Sequence, residues 1–204
     1  EQALGYAVRP DLVADKDGIS AALLVLQLAD GLAREGRTLA DRLDDLALAH
    51  GLHVTRERTL RADGPGGLAR LAAAVARVRK EPPRLLAGRP VAVTDLWAGG
   101  AGTGGAGTGD AGVVDLAGGR AERSPGRPVP PTDVLIWHVG ADARVMIRPS
   151  GTEPVLKLYA ETVWPVRSRD EIAAARAGAA ERAVAMLTAA AAVLEPARPG
   201  ASGS

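Results

Sequence analysis

Apolar residues recur along this chain with two spacings, and the switches between them mark its elements. Ile19, Leu23, Leu26 and Leu28 fall on one face of a helix running from about Ile19 to Glu35. Asp17 or Ser20 stands where it can cap that helix, and Gly36 ends it. Thr38 opens a second helix, with Asp41 in the acid position of a capping box and Gly51 as the stop. Leu52 to Thr59 then alternates in the manner of a half-buried strand. The turn Asp63-Gly64-Pro65-Gly66-Gly67 precedes a third amphipathic helix carrying Leu68, Leu71, Val75 and Val78, which Pro82-Pro83 stops.

Val91 to Trp97 reads as a strand, Val134–Val139 and Ala143–Ile147 as a hairpin around Gly140-Ala141-Asp142, and Val155 to Thr162 as the strand that follows. Ser168, with Glu171 three residues later, has the form of a capping box for an Ala-rich helix to about Leu194. Residues 98–131 are low in complexity, first Gly/Ala/Thr-rich and then Pro/Arg-rich. They hold too little apolar surface to offset their ordering entropy, so a disordered surface loop is expected there. The glycines do not make a P-loop, because no Lys-Ser/Thr follows and no helix opens. Residues 196–204 read as a frayed tail. From residue 38 onward the order is that of an α+β module.

Composition narrows the chemistry. The 204 residues carry a formal net charge of +1, which gives no electrostatic case for nucleic acid or for a membrane surface. Aromatic residues make up 2% and Phe is absent, so Leu, Val, Ile and Ala must build the core. Cysteine is absent, which excludes disulfides and thiolate metal sites and is compatible with a cytoplasmic setting. No uninterrupted apolar run approaches the ~20 residues of a membrane span. The first residues, Glu1 to Tyr6, are neither a Met start nor a signal peptide and read as the interior of a longer protein.

The densest chemistry is Arg148-Pro149-Ser150-Gly151-Thr152-Glu153-Pro154, set between two β-like runs. A guanidinium fork pairs bidentately with phosphate oxygens. Ser150 and Thr152 offer hydroxyls, and Gly151 allows the backbone to curl so that N–H groups converge on one anion. The acidic Glu153 is expected to point away, while Pro149 and Pro154 stiffen the loop. His50, His53 and His138 do not cluster in sequence and are expected in structural or surface roles. Trp97, Trp137 and Trp164 flank strands and are expected to pack. Asp15-x-Asp17 supplies too few oxygens for a hard divalent cation.

With that loop and element order, the chain resembles the α-D-phosphohexomutase family, which includes phosphoglucomutase and phosphomannomutase. Arg148 to Pro154 resembles the phosphate-binding loop of the family's fourth domain. Glu1-Gln2-Ala3-Leu4-Gly5-Tyr6 resembles the sugar-binding loop of its third domain, and Asp15 to Ala21 the turn and helix after that loop, most closely in the phosphoglucomutase/phosphopentomutase branch. The resemblance covers residues 1 to about 97 and about 132 to 190.

It implies the end of an α/β third domain over 1–37 and a TATA-binding-protein-like α+β fourth domain over 38–195. Family members interconvert hexose or pentose 1-phosphates with 6- or 5-phosphates through a phosphoserine and a bisphosphate intermediate. Their first domain holds the serine and their second holds Mg²⁺. The resemblance therefore implies substrate-phosphate binding by Arg148, Ser150, Gly151 and Thr152, sugar contacts from Glu1 and Lys16, and no catalytic residue or metal ligand in this chain. Ala3 stands where many relatives have Ser, which suits the phosphopentomutase-like branch. The implied partners are a phosphosugar and the N-terminal domains of the same enzyme, without nucleic acid or membrane. The other expectation is a non-catalytic sugar-phosphate-binding module, or the inactive remnant of a truncated mutase. A nucleic-acid role by analogy with the TATA-binding fold is disfavoured by the near-neutral charge and the lack of an aromatic stacking series.

Overall fold

The computed structural model describes residues 6–97 and 132–195. The expectations for the sugar-contacting Glu1, the 98–131 loop and the 196–204 tail lie outside the described residues. By packing, the chain divides into two units, residues 1–49 and 50–204, against the sequence-expected division at 37/38.

The first unit holds two helices. Helix α1 spans Gly18–Arg34, and the Asp17 carboxylate accepts the amides of Ile19 (3.0 Å) and Ser20 (3.2 Å). Asp17, not Ser20, is thus the cap, and those donors hold its pKa below the usual carboxylate range. The chain leaves α1 through Gly36 at φ +70°, a left-handed conformation glycine adopts without strain. Helix α2, Leu39–His50, opens on a complete capping box: Thr38 Oγ1 accepts the Asp41 amide at 3.1 Å, and the Asp41 carboxylate accepts the Thr38 amide at 2.7 Å. The apolar face of α1 is not buried. Ile19 is 85% and Leu26 66% exposed, and Leu23 and Leu28 are exposed with them.

The second unit is a six-stranded antiparallel sheet with helices on one face. Its strands are β1 (Leu52–Arg61), β2 (Leu85–Leu86), β3 (Arg89–Asp95), β4 (Leu135–Val139), β5 (Ala143–Pro149) and β6 (Val155–Trp164). The order is β1-β6-β5-β4-β3-β2, so the first strand pairs with the last, Leu52 opposite Trp164 and Arg61 opposite Val155. Helix α3 (Gly67–Lys80) and the long α4 (Ile172–Leu194) cover one face. The α+β class expected from the sequence is the class observed, and most strands run one to three residues past their expected ends.

Alternation explains the layering. Leu135, Trp137 and Val139 of β4, Ala143, Val145 and Ile147 of β5, and Leu156, Leu158 and Ala160 of β6 point the same way. They form one core with Leu71, Val75 and Val78 of α3 and Ala183, Met186, Leu187 and Leu194 of α4. Small alanines on α4 bring the helix close to the sheet, and buried Thr162 Oγ1 donates to the Ala179 carbonyl at 3.0 Å. By length and composition the segment Arg169–Leu194 would suffice to cross a membrane, which the search for uninterrupted apolar runs missed. Here the buried side of that helix lies on the sheet.

The expected Ser168 cap is not made. Residues Arg169–Glu171 form a 3₁₀ turn without a side-chain cap, and the Glu171 carboxylate accepts the Arg167 amide at 2.9 Å instead. The two-residue β2 was not expected, being too short to show a period. Trp137 is fully buried, whereas Trp97 is 46% exposed. The Arg182 guanidinium lies 4.3 Å from the Trp164 ring centroid and 2.6 Å from Asp142, tying α4 to the β4–β5 turn. Both ends of the 98–131 segment are fixed. Leu96 donates to the Val134 carbonyl at 3.0 Å, Thr132 to the Leu96 carbonyl at 3.2 Å, and Arg79 pairs with Asp95 and Asp133.

Candidate functional site

The β5–β6 connection is the Arg148-to-Pro154 loop, and antiparallel pairing runs right up to it: Pro149 lies opposite Leu156 and Ser150 donates its amide to the Val155 carbonyl at 3.0 Å. Inside the loop, Ser150 Oγ accepts the amides of Glu153 (3.2 Å) and, weakly, Thr152 (3.5 Å). This is the local turn a serine favours, so those amides bond the serine oxygen and do not converge on a free anion site. The Ser150 hydroxyl proton stays available to donate outward, since the oxygen is the acceptor in both bonds.

Gly151 does not occupy a left-handed conformation, and a Cβ added there would meet nothing within 4 Å. Its missing side chain leaves the top of the loop open and is not needed for the turn. Gly151, Thr152 and Glu153 are all exposed.

The scaffold holds the loop from below. The Ala62 amide, just past β1, donates to the Pro154 carbonyl at 3.1 Å. Gly67, the first residue of α3, crosses so close that an added Cβ would lie 2.0 Å from the Ala62 carbonyl oxygen and 3.4 Å from Pro154 Cβ. The start of α3, the end of β1 and the loop are therefore one packed corner.

Arg148 leaves the end of β5 on the face away from the helices and is exposed. Its register partner is Lys157 of β6, also exposed, and Lys157 in turn faces Thr59 of β1. Sequence reasoning found Arg148 but missed Lys157. The juxtaposition depends on β5–β6 register, which the turn Ser150–Pro154 decides and no local motif states. Lys16 sits in the first unit, exposed beside Asp15, whose carboxylate accepts the Lys16 amide at 2.6 Å.

Strand–loop–strand–helix is also the part of the chain that a family description recognises: residues 133–179 match the phosphoglucomutase/phosphomannomutase C-terminal domain. A probable phosphomannomutase of Haemophilus influenzae is 33% identical over 159 residues, which are 78% of this chain and 26% of that protein. A phosphoglucomutase of Staphylococcus epidermidis is 28% identical over 160 residues, again 78% and 26%. A phosphopentomutase of Mus musculus is 25% identical over 177 residues, 83% of this chain and 25% of its own length. The chain belongs to the phosphohexomutase family, as a C-terminal part. It spans about a quarter of the length of the curated relatives it matches, 26% for the first two.

In this phosphohexomutase part the histidines lie on the open sheet face. His53 Nδ1 is 3.1 Å from Glu161, and Glu161 also accepts Arg144 Nε at 2.6 Å. His138 Nε2 contacts Thr94 Oγ1 at 3.1 Å. Burial, reinforced by the charge of Arg144, pushes the His138 pKa below its ordinary value, so this ring is held neutral. These contacts form a row across the strands, at a distance in sequence from the loop, and they stitch the sheet.

Proposed function

We propose that this chain is the substrate-gripping C-terminal part of a phosphosugar mutase, and that the β5–β6 loop binds the phosphate that is not being transferred. The observation that carries the reading is Arg148, which has no ion pair among the described residues and stands at the mouth of a loop with an outward-facing Ser150 hydroxyl and an uncovered Gly151. A free guanidinium beside hydroxyls is an anion site waiting for its ligand. Thr152 adds a second hydroxyl. Glu1 and Lys16 are proposed to contact the sugar.

The parent enzyme would interconvert sugar 1-phosphates with 6- or 5-phosphates through a phosphoserine, and this part would contribute positioning. Holding the distal phosphate fixes the reacting one, and positioning is a large share of phosphoryl-transfer catalysis. Mg²⁺ would neutralise phosphate charge in the parent, held outside this chain. Asp17, the acid of the tempting Asp15-x-Asp17 spacing, is already committed to capping α1.

The exposed apolar face of α1 supports the reading that more protein covers it, because Ile19, Leu23 and Leu26 would otherwise face water together. The chain alone is expected to lack mutase activity. The test is Arg148→Ala in the full-length enzyme. A loss of about 2–4 kcal/mol of transition-state binding, roughly 30- to 900-fold in kcat/KM, is expected with a sugar 1-phosphate. An unchanged kcat/KM overturns the assignment.

A further inference from the structure

Arg148 and Lys157 oppose each other directly across the β5–β6 pair, both exposed on the sheet face turned away from the helices. Directly opposed residues in an antiparallel pair bring their Cβ atoms to about 5 Å, and like charges there destabilise the sheet. Proteins usually relieve such a pair with a carboxylate between the two cations. The carboxylates at hand are Glu153 in the loop and Glu57, which faces Tyr159 from β1. Neither pairs with Arg148 or Lys157, and both cations are without an ion pair among the described residues.

The same face adds Thr59, opposite Lys157, and Arg61, two residues further along β1 and nearer the loop. Both are exposed. Across three neighbouring strands, one end of this face thus carries Arg148, Lys157 and Arg61 around two hydroxyl-bearing segments. That end is the end where the loop opens.

We propose that Lys157 is a second cation of the phosphate site, sharing with Arg148 a doubly charged phosphate monoester. Two cations match a dianion better than one. The fork of Arg148 fixes the orientation of the oxygens, and the ammonium of Lys157 supplies a point charge from the next strand. The repulsion built into the empty pair is relieved when the anion arrives, so the pair favours the bound state over the free one. The inference rests on the reading of the β5–β6 loop as a phosphate site and names a ligand which that reading lacks.

The experiment is a titration of the 204-residue chain with inorganic phosphate at low ionic strength, followed by backbone amide NMR shifts, for the parent chain and four variants. Lys157→Ala is expected to weaken binding about fivefold, the scale of one exposed charge contact, and Lys157→Arg to stay within about twofold of the parent chain. Arg148→Ala weakens binding too, and Lys80→Ala, an exposed lysine on α3, leaves it unchanged. If Lys157→Ala binds like the parent chain while Arg148→Ala is impaired, Lys157 is not a ligand and the loop reading stands. If Lys80→Ala loses as much as Lys157→Ala, the effect is diffuse charge and the inference fails. If neither Arg148→Ala nor Lys157→Ala alters the titration, or phosphate does not bind, the inference and the loop reading fall together.

Discussion

Gly67→Ala tests whether the phosphate loop is held by the packed corner beneath it. An alanine methyl at this position would sit 2.0 Å from the Ala62 carbonyl oxygen and 2.9 Å from its carbonyl carbon. A carbon normally keeps about 3.3 Å from a carbonyl oxygen, so one backbone must retreat by roughly 1.3 Å. No side chain can rotate to absorb this, because the clash is with main chain. Overpacking of that kind costs about 1–3 kcal/mol, and the helix-propensity gain of Ala over Gly returns at most about 1 kcal/mol. A net destabilisation of about 2 kcal/mol is expected, taking the upper part of the overpacking range for a backbone clash. The chain's three tryptophans all lie in the second unit, so tryptophan fluorescence in a urea titration reports that unit alone. Gly151→Ala is the control, since its methyl meets nothing within 4 Å; its midpoint should move by less than about 0.5 kcal/mol. The shift at Ala62 has a second consequence, because the Ala62 amide holds the Pro154 carbonyl. Phosphate affinity should therefore fall in Gly67→Ala. A variant as stable as the parent chain would refute the close approach of α3 to β1.

Thr162→Val keeps the shape of a fully buried side chain but removes its bond to the Ala179 carbonyl, and urea titration should record a loss of about 1 kcal/mol. His138 should titrate by NMR below its ordinary value. Because its folded pKa is lowered, the stability it confers is complete above the unfolded pKa, about 6.5, and is lost as pH falls through the folded one. His138→Gln should flatten the stability profile over that window, and an unchanged profile would argue against the buried neutral ring. Replacing residues 98–131 by a short Gly/Ser turn should leave the fold and the phosphate titration intact, since Leu96, Val134 and the Arg79 clamp pair the two ends independently. Loss of the cooperative transition in that variant would contradict this.

Much of the second unit was legible because alternation in β4, β5 and β6 is strict, with large apolar residues on one face and polar ones on the other. The Thr38 capping box was legible for a similar reason: its bonds join residues three apart. Ser168 has the same local form and failed, because a 3₁₀ turn preceded α4 and the Glu171 side chain found the Arg167 amide. The apolar stripe of α1 was read correctly as a helix face, yet sequence could not say that the face stays uncovered among the described residues. Within the site, Arg148 and Ser150 announce themselves by type. The role of Gly151 differs from the expected one: it leaves space and does not bend the chain. Lys157 was invisible because it is defined by register with Arg148, and β1, which completes that face, pairs with β6 across about a hundred residues of sequence.

The most direct measurement of the central claim is an amide NMR titration of the chain with glucose 1-phosphate. Saturable shifts concentrated at Arg148, Ser150, Gly151, Thr152 and Lys157, abolished in Arg148→Ala, are the predicted result. Shifts centred elsewhere in the molecule, or none at millimolar ligand, would contradict it.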